Sequence, residues 1–422
     1  MAAVEELRAD VALVGVGAAG GSLLRQLVRG GRARAGDRPL QVVALEPPAG
    51  AGQRSPERSW CTWGPPGWRH DADVALRWSR VRVVDAAGGA VDARLDPEEY
   101  RLVRSGDFEA AVAAECAAAQ GVELRTAVVE AVQDSPAGAL VRARTPGGGE
   151  LLVRARWVLD SRPPVLPEHV PAGRTVLLQH FRGWRVRCPG PVFDPGAATL
   201  MDFRVPQPAR GAAFAYVLPA SAHEALVEHT VFSADAWPAA AHEEALGRYL
   251  REVLGVDGWE VLGAEAGVIP MTDVPLPARA GASVFRLGAA AGAVRPSTGY
   301  AFAAVQRQVD AVVAALAAGE EPLAPLPHRR RHLAMDAVLL RALDSGAVAG
   351  GELFARLFAR VPAPVLLRFL DGRSSVAEDL AVMAAAPRVA MLRTVGALLL
   401  RAPARRRSAA GPGDARGVPP GR

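Results

Sequence analysis

Two carboxylates stand inside runs of apolar, strand-forming residues. Asp202 lies between Met201 and Phe203, and Glu228 follows Leu226 and Val227. A carboxyl group on the buried side of a strand loses its hydration, which raises its pKa by up to about 3–5 units when burial is complete. Such a group stays protonated near neutral pH and can act as a general acid. Each residue has a second role open to it. Asp202 can pair with Arg204, and alternation can turn Glu228, with Leu226 and Thr230, toward a solvent-facing edge.

Glycine spacing carries a different chemistry. The run Asp10–Leu13 opens into Val14-Gly15-Val16-Gly17-Ala18-Ala19-Gly20-Gly21, then a helical stretch Ser22–Val28, then Val42–Leu45 ending at Glu46. Strand, G-x-G-x-x-G turn, helix, strand and acid in one unit predict a dinucleotide site. Gly15 permits the tight turn, Gly17 admits a pyrophosphate, Gly20 lets helix and strand pack closely, and Ala18 and Ala19 lie between them. Glu46 is placed to accept ribose hydroxyls. A second loop of small residues runs from Gly288 and leads to Pro296-Ser297-Thr298-Gly299-Tyr300, predicted to open a helix through Leu316. Pro296 has no N–H to satisfy, Ser297 or Thr298 is predicted to cap that helix, and its free amides favour an anionic group.

These residues need elements to hold them. Segments 80–85 and 90–95 read as strands about a Gly88-Gly89 turn, Phe108–Gln120 as a helix, and Val122–Leu124, Leu140–Arg144, Leu151–Arg154 and Arg156–Leu159 as further strands. Trp60 and Trp63, close to the first loop, either wall an apolar pocket or pack in the core. Val176–Trp184, Ala198–Val205, Ala212–Leu218 and Ala225–Phe232 follow one another without helices between them, as in an antiparallel meander. Glu265–Asp273 is read as the return to the first unit, and Val305, Val309, Val312, Val313 and Leu316 recur at helical spacing after it. The expected division is 1–175 and 276–326 for the dinucleotide unit, 176–275 for an antiparallel substrate unit, 327–401 for a helical region, and 402–422 for a disordered basic tail.

Composition narrows the chemistry. All 49 basic residues are arginine, so Schiff-base lysine chemistry and a Walker-type phosphate lysine are excluded. The net charge of +5 has no basic stripe interleaved with aromatics, which argues against nucleic acid. Cys61, Cys116 and Cys188 are too dispersed for a metal or disulfide framework, so no metal site is expected. Half the residues are apolar, yet no window reaches the roughly 18 uninterrupted apolar residues that a membrane span requires. The start of the chain has no secretory pattern, and a cytoplasmic location is expected.

The chain resembles the FAD-dependent lycopene cyclase family from Asp10 to about Ala402. The resemblance rests on Gly15–Gly20, ERSWCTW (57–63), LQHFRGW (178–184), LMDF (200–203), LVEHTVFS (226–233), GVIPMTD (267–273), RPSTGYAF (295–302) and RFLD (368–371). The family commonly has two adjacent acids before a threonine; here Glu228 keeps the first, His229 takes the second place and Thr230 follows. The resemblance implies an α/β fold: a Rossmann-type FAD-binding domain, an antiparallel β-sheet substrate domain and a C-terminal helical region. It implies reduced FAD, with NAD(P)H as a candidate external reductant, and lycopene or a related carotene as substrate. A buried acid protonates the terminal double bond, the cation closes a six-membered ring, and a base removes a proton to give a β-ionone ring. Glu228 is the implied donor, with Asp202 or Glu265 supporting charge or deprotonation. A C40 hydrocarbon must be collected from lipid, so peripheral attachment to the inner face of the cell membrane is expected. The competing readings are a flavin monooxygenase or hydroxylase and a non-enzymatic isoprenoid-binding flavoprotein.

Overall fold

The computed structural model describes residues 4–30, 34–35, 38–50 and 57–401. The basic tail expected at 402–422 lies outside the described residues. A first sheet is built around Val4–Val14, whose last four residues are fully buried because both faces are covered. Val11 and Leu13 meet helices, while Ala12 and Val14 meet Ala139, Val141 and Val153 on the other side. Val42–Glu46 and Glu150–Asp160 flank the central strand in parallel, and Val122–Thr126 extends the parallel set. Gly138–Arg144 adds an antiparallel partner to the start of Glu150–Asp160, and Val284–Arg286 pairs in parallel with its last three residues. The chain thus returns to this sheet after building an entire second one. Helices Ala18–Gly30, Ser105–Ala117 and Phe302–Ala317 pack against the same apolar layer.

The second sheet has the order Glu260–Thr272, Val176–Arg187, Glu224–Ser233, Ala212–Pro219, Ala197–Asp202, Arg80–Val84, Ala90–Arg94. Neighbours are antiparallel except Ala197–Asp202 and Arg80–Val84, which run parallel. This corrects the simple meander: Val176–Arg187 crosses over to lie beside Glu224–Ser233, and residues 80–94 join this sheet rather than the first. It also corrects the expectation for Glu265–Asp273. That stretch is not the return but most of an edge strand, where Pro270 is tolerated because an edge has one unpaired side.

One face of the second sheet packs under the helix and π-helical turn of Ala239–Val253 through Val227, Val231, Leu246 and Leu250. The other faces the C-terminal helices Arg330–Asp344, Gly350–Arg360, Ala363–Leu370 and Val376–Ala385 through Phe214, Phe232, Phe354 and Leu367. Fully burying such a side chain contributes about 1.5–3 kcal/mol, against about 0–1 kcal/mol for a surface pair such as Arg368–Glu378. The apolar seam therefore holds the helical region in place. A small sheet of Ser59–Gly64, Glu99–Arg104 and Val74–Trp78 bridges the two cores, with Val103 in the first and Tyr100 and Leu102 in the second.

Candidate active site

Four neighbouring strands bring Tyr216, Glu228, Gly183 and Glu265 into one cross-strand row. Opposed residues on antiparallel strands share a face, so both carboxyls rise from the side that meets the C-terminal helices. Glu228 is 7% exposed and Glu265 8%. Thr230 Oγ1 donates to Glu228 Oε1 at 2.5 Å, and Ser59 Oγ donates to Glu265 Oε2 at 2.9 Å. Burial raises both carboxyls well above the ordinary range. The charge of Glu265 adds to the effect on Glu228, and the Thr230 bond opposes it only in part. For Glu265 the Ser59 bond opposes burial, while the charge of Glu57 adds to it. A proton is thus retained here at pH values where an exposed glutamate is ionised. A small cleft of about 40 Å³ opens beside Glu265, lined by Leu76, Leu102, Leu218 and Leu226 together with Ser59, Glu57, Arg104 and Arg185.

An aromatic wall adjoins the acids. Tyr100 Oη and Tyr216 Oη share a 2.5 Å hydrogen bond, and Trp63 stacks on Tyr100 at 6.0 Å between ring centroids. Tyr300 meets Trp63 edge-on at 4.7 Å, while Trp63 Nε1 donates to Leu367 O at 3.1 Å. Burial pushes the Cys61 thiol up to about 12 and holds the Tyr100, Tyr216 and Tyr300 phenols above their usual range. The lining is therefore neutral and rich in π faces, which favour a nearby cation. Trp60 and Trp63 divide the two roles foreseen for them. Trp60 packs on Phe108 and Phe302, and Trp63 joins this wall.

Asp202 is placed elsewhere. Its row runs through Ala215 to His229, one residue out of step with Glu228, and so points to the opposite face. Its carboxylate is fully buried, accepts from Arg204 Nη2 at 2.6 Å and Nε at 2.9 Å, and from Tyr249 Oη at 2.8 Å. The pairing with Arg204 is the role it takes, and Asp202 is withdrawn as a catalytic candidate. His229 likewise faces away from Glu228. It meets His242 Nδ1 at 3.0 Å, and His242 Nε2 meets His180 Nδ1 at 2.9 Å, with His242 supplied by the Ala239–Arg248 helix that covers this face. Burial, then neighbouring histidine charge, lowers His180 to about 4 and His229 to about 3, so this cluster is neutral.

The two glycine loops come together. Gly15 has φ +88°, and Ser161 Oγ donates to its carbonyl at 2.9 Å. A Cβ on Gly20 would lie 2.0 Å from Gly15 O, which accounts for glycine there, whereas nothing lies within 4 Å of the same position on Gly17. Val16 N donates to Glu46 Oε2, fixing the acid at the mouth of the turn. Gly288 (φ +69°) abuts Ala19, where an added Cβ would sit 2.6 Å from the alanine methyl. The open Gly17, the start of the helix at Ala18 and the fixed Glu46 suit the pyrophosphate and ribose of a dinucleotide. Gln179 Oε1 and Thr298 Oγ1, buried at the second loop without a protein partner, leave polar capacity for a ring edge.

The capping expectation is corrected. Pro296–Thr298 form a turn, the helix starts at Phe302, and no side chain caps it. Ser297 Oγ instead donates to Asp336 Oδ1 at 2.7 Å, beside Arg295 Nε at 3.2 Å. The Asp336 carboxyl is buried, and a buried acid left without hydrogen bonds costs more than an amide at a helix start. Gly299 (φ +74°) lies against the Gln179 carboxamide, and Tyr300 reaches the aromatic wall. Sequence reasoning missed Ser59, Tyr100, Gly183 and Tyr216. The available signals were a glycine in an otherwise β-rich run at Gly183 and the place of Ser59 and Gly183 inside two of the motifs that carry the resemblance.

The family described as lycopene cyclase protein matches residues 10–396. The chain belongs to the lycopene cyclase family. A lycopene beta-cyclase of Paracoccus sp. (strain N81106 / MBIC 01143) is 28% identical over 400 residues, 90% of this chain and 94% of that protein. A geranylgeranyl bacteriochlorophyll reductase-like protein of Thermoplasma acidophilum superposes with TM-score 0.61 at 15% identity, covering 93% of this chain and all of that one. The flavin-dependent brominase Bmp2 gives TM-score 0.61 at 16% identity, covering 92% of this chain and 100% of that chain. The expected fold, a Rossmann-type unit with an antiparallel second sheet and C-terminal helices, is the fold this lycopene cyclase family member has.

Proposed function

We propose that this chain binds FAD between its two glycine loops and cyclises the ψ end groups of lycopene or a related carotene to β-ionone rings, without net redox change. The observation that carries the reading is the pair of buried carboxyls that holds a proton in one row, beside a cleft walled in part by leucines. Glu228 donates its proton to the terminal double bond: its O–H bond breaks and a C–H bond forms. A neighbouring double bond supplies the electron pair of the new ring bond, and the positive charge moves into the ring. Glu265, ionised in that state, takes a proton from the adjacent ring carbon, whose C–H pair becomes the ring double bond. One proton enters and one leaves. Gly15, Gly17, Glu46 and Gly288 would hold FAD, which in its reduced, anionic form would supply negative charge that stabilises a cation in a low-dielectric site. NAD(P)H is proposed as the source of its electrons. Tyr100, Tyr216 and Trp63 exclude water, and the protonated Cys61 offers no thiolate to trap the cation.

In the proposed arrangement, residues 1–175 and 276–326 serve the cofactor except for 59–104, which contributes strands and side chains to the substrate side, 176–275 serve the substrate and 327–401 the approach to lipid. Among the described residues no single helix is long and apolar enough to cross a membrane. The last two helices, Val376–Ala385 and Arg388–Arg401, meet at a bend of 110° and expose Val376, Leu380, Met383, Val389, Leu392 and Leu399. This apolar surface, with exposed Arg388 and Arg393 beside it, supports docking on the cytoplasmic face of a bilayer. Glu228→Gln tests the central claim. In a lycopene-accumulating bacterium the native chain should yield cyclic carotene and the variant none, while both purify yellow with flavin. Cyclic product from the variant would remove Glu228 from the role of donor.

A further inference from the structure

Gly183 sits in the middle of the candidate acid pair. Its register partners are Glu228 on one side and Glu265 on the other. With strands about 4.8 Å apart, the two glutamate Cα atoms stand about 10 Å from each other across it. Nothing in the backbone asks for glycine at this place. Position 183 lies inside the extended strand Val176–Arg187 and is not among the positive-φ glycines. Glycine inside a strand is destabilising by roughly 0.5–1 kcal/mol relative to alanine, so its presence calls for a reason of space. The space is defined. A Cβ on Gly183 would lie 3.0 Å from Leu226 Cδ1, 3.3 Å from Glu265 Cγ and 3.4 Å from Glu228 Cβ. Phe181 and Arg185, two residues away on the same face, both carry large side chains, so the glycine makes a notch between them.

We infer that Gly183 is a positioning residue that sets the separation of the two acids and forms the floor on which the substrate end group lies between donor and acceptor. The inference rests on the proposed cyclisation. Ring closure adds a proton at one carbon and removes one from another, so the reacting group must fit between two carboxyls at once. A methyl at position 183 raises the floor and spreads both acids.

Gly183→Ala is the test, because the backbone accepts alanine and the tightest new contact is the end of a flexible leucine. The variant should fold, retain flavin and lose turnover by about 100-fold, the loss that a misplacement of about 1 Å can bring. Wider spacing weakens the repulsion that holds the second proton, so the alkaline limb of the rate profile should move to lower pH. The same spacing is read without turnover by 13C NMR titration of carboxyl-labelled glutamate, where the two raised steps should draw closer together in the variant. Native-like turnover with an unchanged pH profile and titration would overturn the proposal. Should the single variant fail to fold, Leu226→Ala combined with Gly183→Ala removes the 3.0 Å contact and answers the same question. If the native chain makes no cyclic carotene, the cyclase reading fails on its own, and the titration still decides whether Gly183 sets the spacing.

Discussion

At the scale of single residues, Glu228 and Glu265 tie folding to pH. Both hold their proton to higher pH in the folded chain than a free glutamate does. Between the ordinary and the raised range the native state binds more protons than the unfolded one, so stability falls as pH rises through that window. His180 and His229 act in the opposite sense. Their folded values of about 4 and about 3 lie below the ordinary imidazole range, so acid favours the unfolded chain. Thermal unfolding should therefore pass through a maximum, with the acid limb reaching down to about pH 3 and the alkaline limb up to about pH 8. Glu228→Gln should flatten the alkaline limb and leave the acid limb in place. An alkaline limb equally steep in the variant would contradict the burial account of the dyad.

At the scale of elements, the first glycine turn is the most constrained piece. Gly20 has backbone in the place of a side chain, with Gly15 O 2.0 Å from where a Cβ would stand. Gly20→Ala must push the Ala18–Gly30 helix away from the turn, at a cost of about 1–3 kcal/mol for overpacking. The expected result is loss of bound flavin during purification and a lower unfolding temperature, read by absorbance and calorimetry; full flavin content would show that the turn can relax. This element was legible because its parts lie close together in the chain and its rule is local. The region 327–401, expected to be helical, is occupied by the helices from Arg330–Asp344 to Arg388–Arg401. The second sheet was not legible in the same way. Its strands were found individually except Glu260–Thr272, and Val176–Arg187 pairs with both Glu224–Ser233 and that missed strand, a choice that no local pattern expresses. The role of Ser297 was misread for a similar reason. Asp336, which competes for its hydroxyl, comes from a helix well beyond it in the chain.

At the scale of the whole molecule, the exposed apolar side chains of the last two helices set the proposed contact with lipid. Leu392→Asp with Leu399→Asp places charge on two of the most exposed positions, 70% and 72% accessible. The native full-length chain should float with anionic liposomes and the double variant should remain at the bottom of the gradient, with flavin content unchanged in both. A native chain that stays soluble would count against docking through this surface.

What the sequence determined by itself was whatever short range encodes: the glycine fingerprint with Glu46, the helical periods, the strand runs and the unusual setting of Glu228. Tertiary structure decided which carboxylate would partner it. Asp202 and Glu265 were equal candidates along the chain, and a strand alternates faces with every residue. Register put Asp202 in the row beside His229 and Glu265 in the row with Gly183 and Glu228. That register is fixed by the summed packing of both faces of the sheet, a property of strands far apart in sequence.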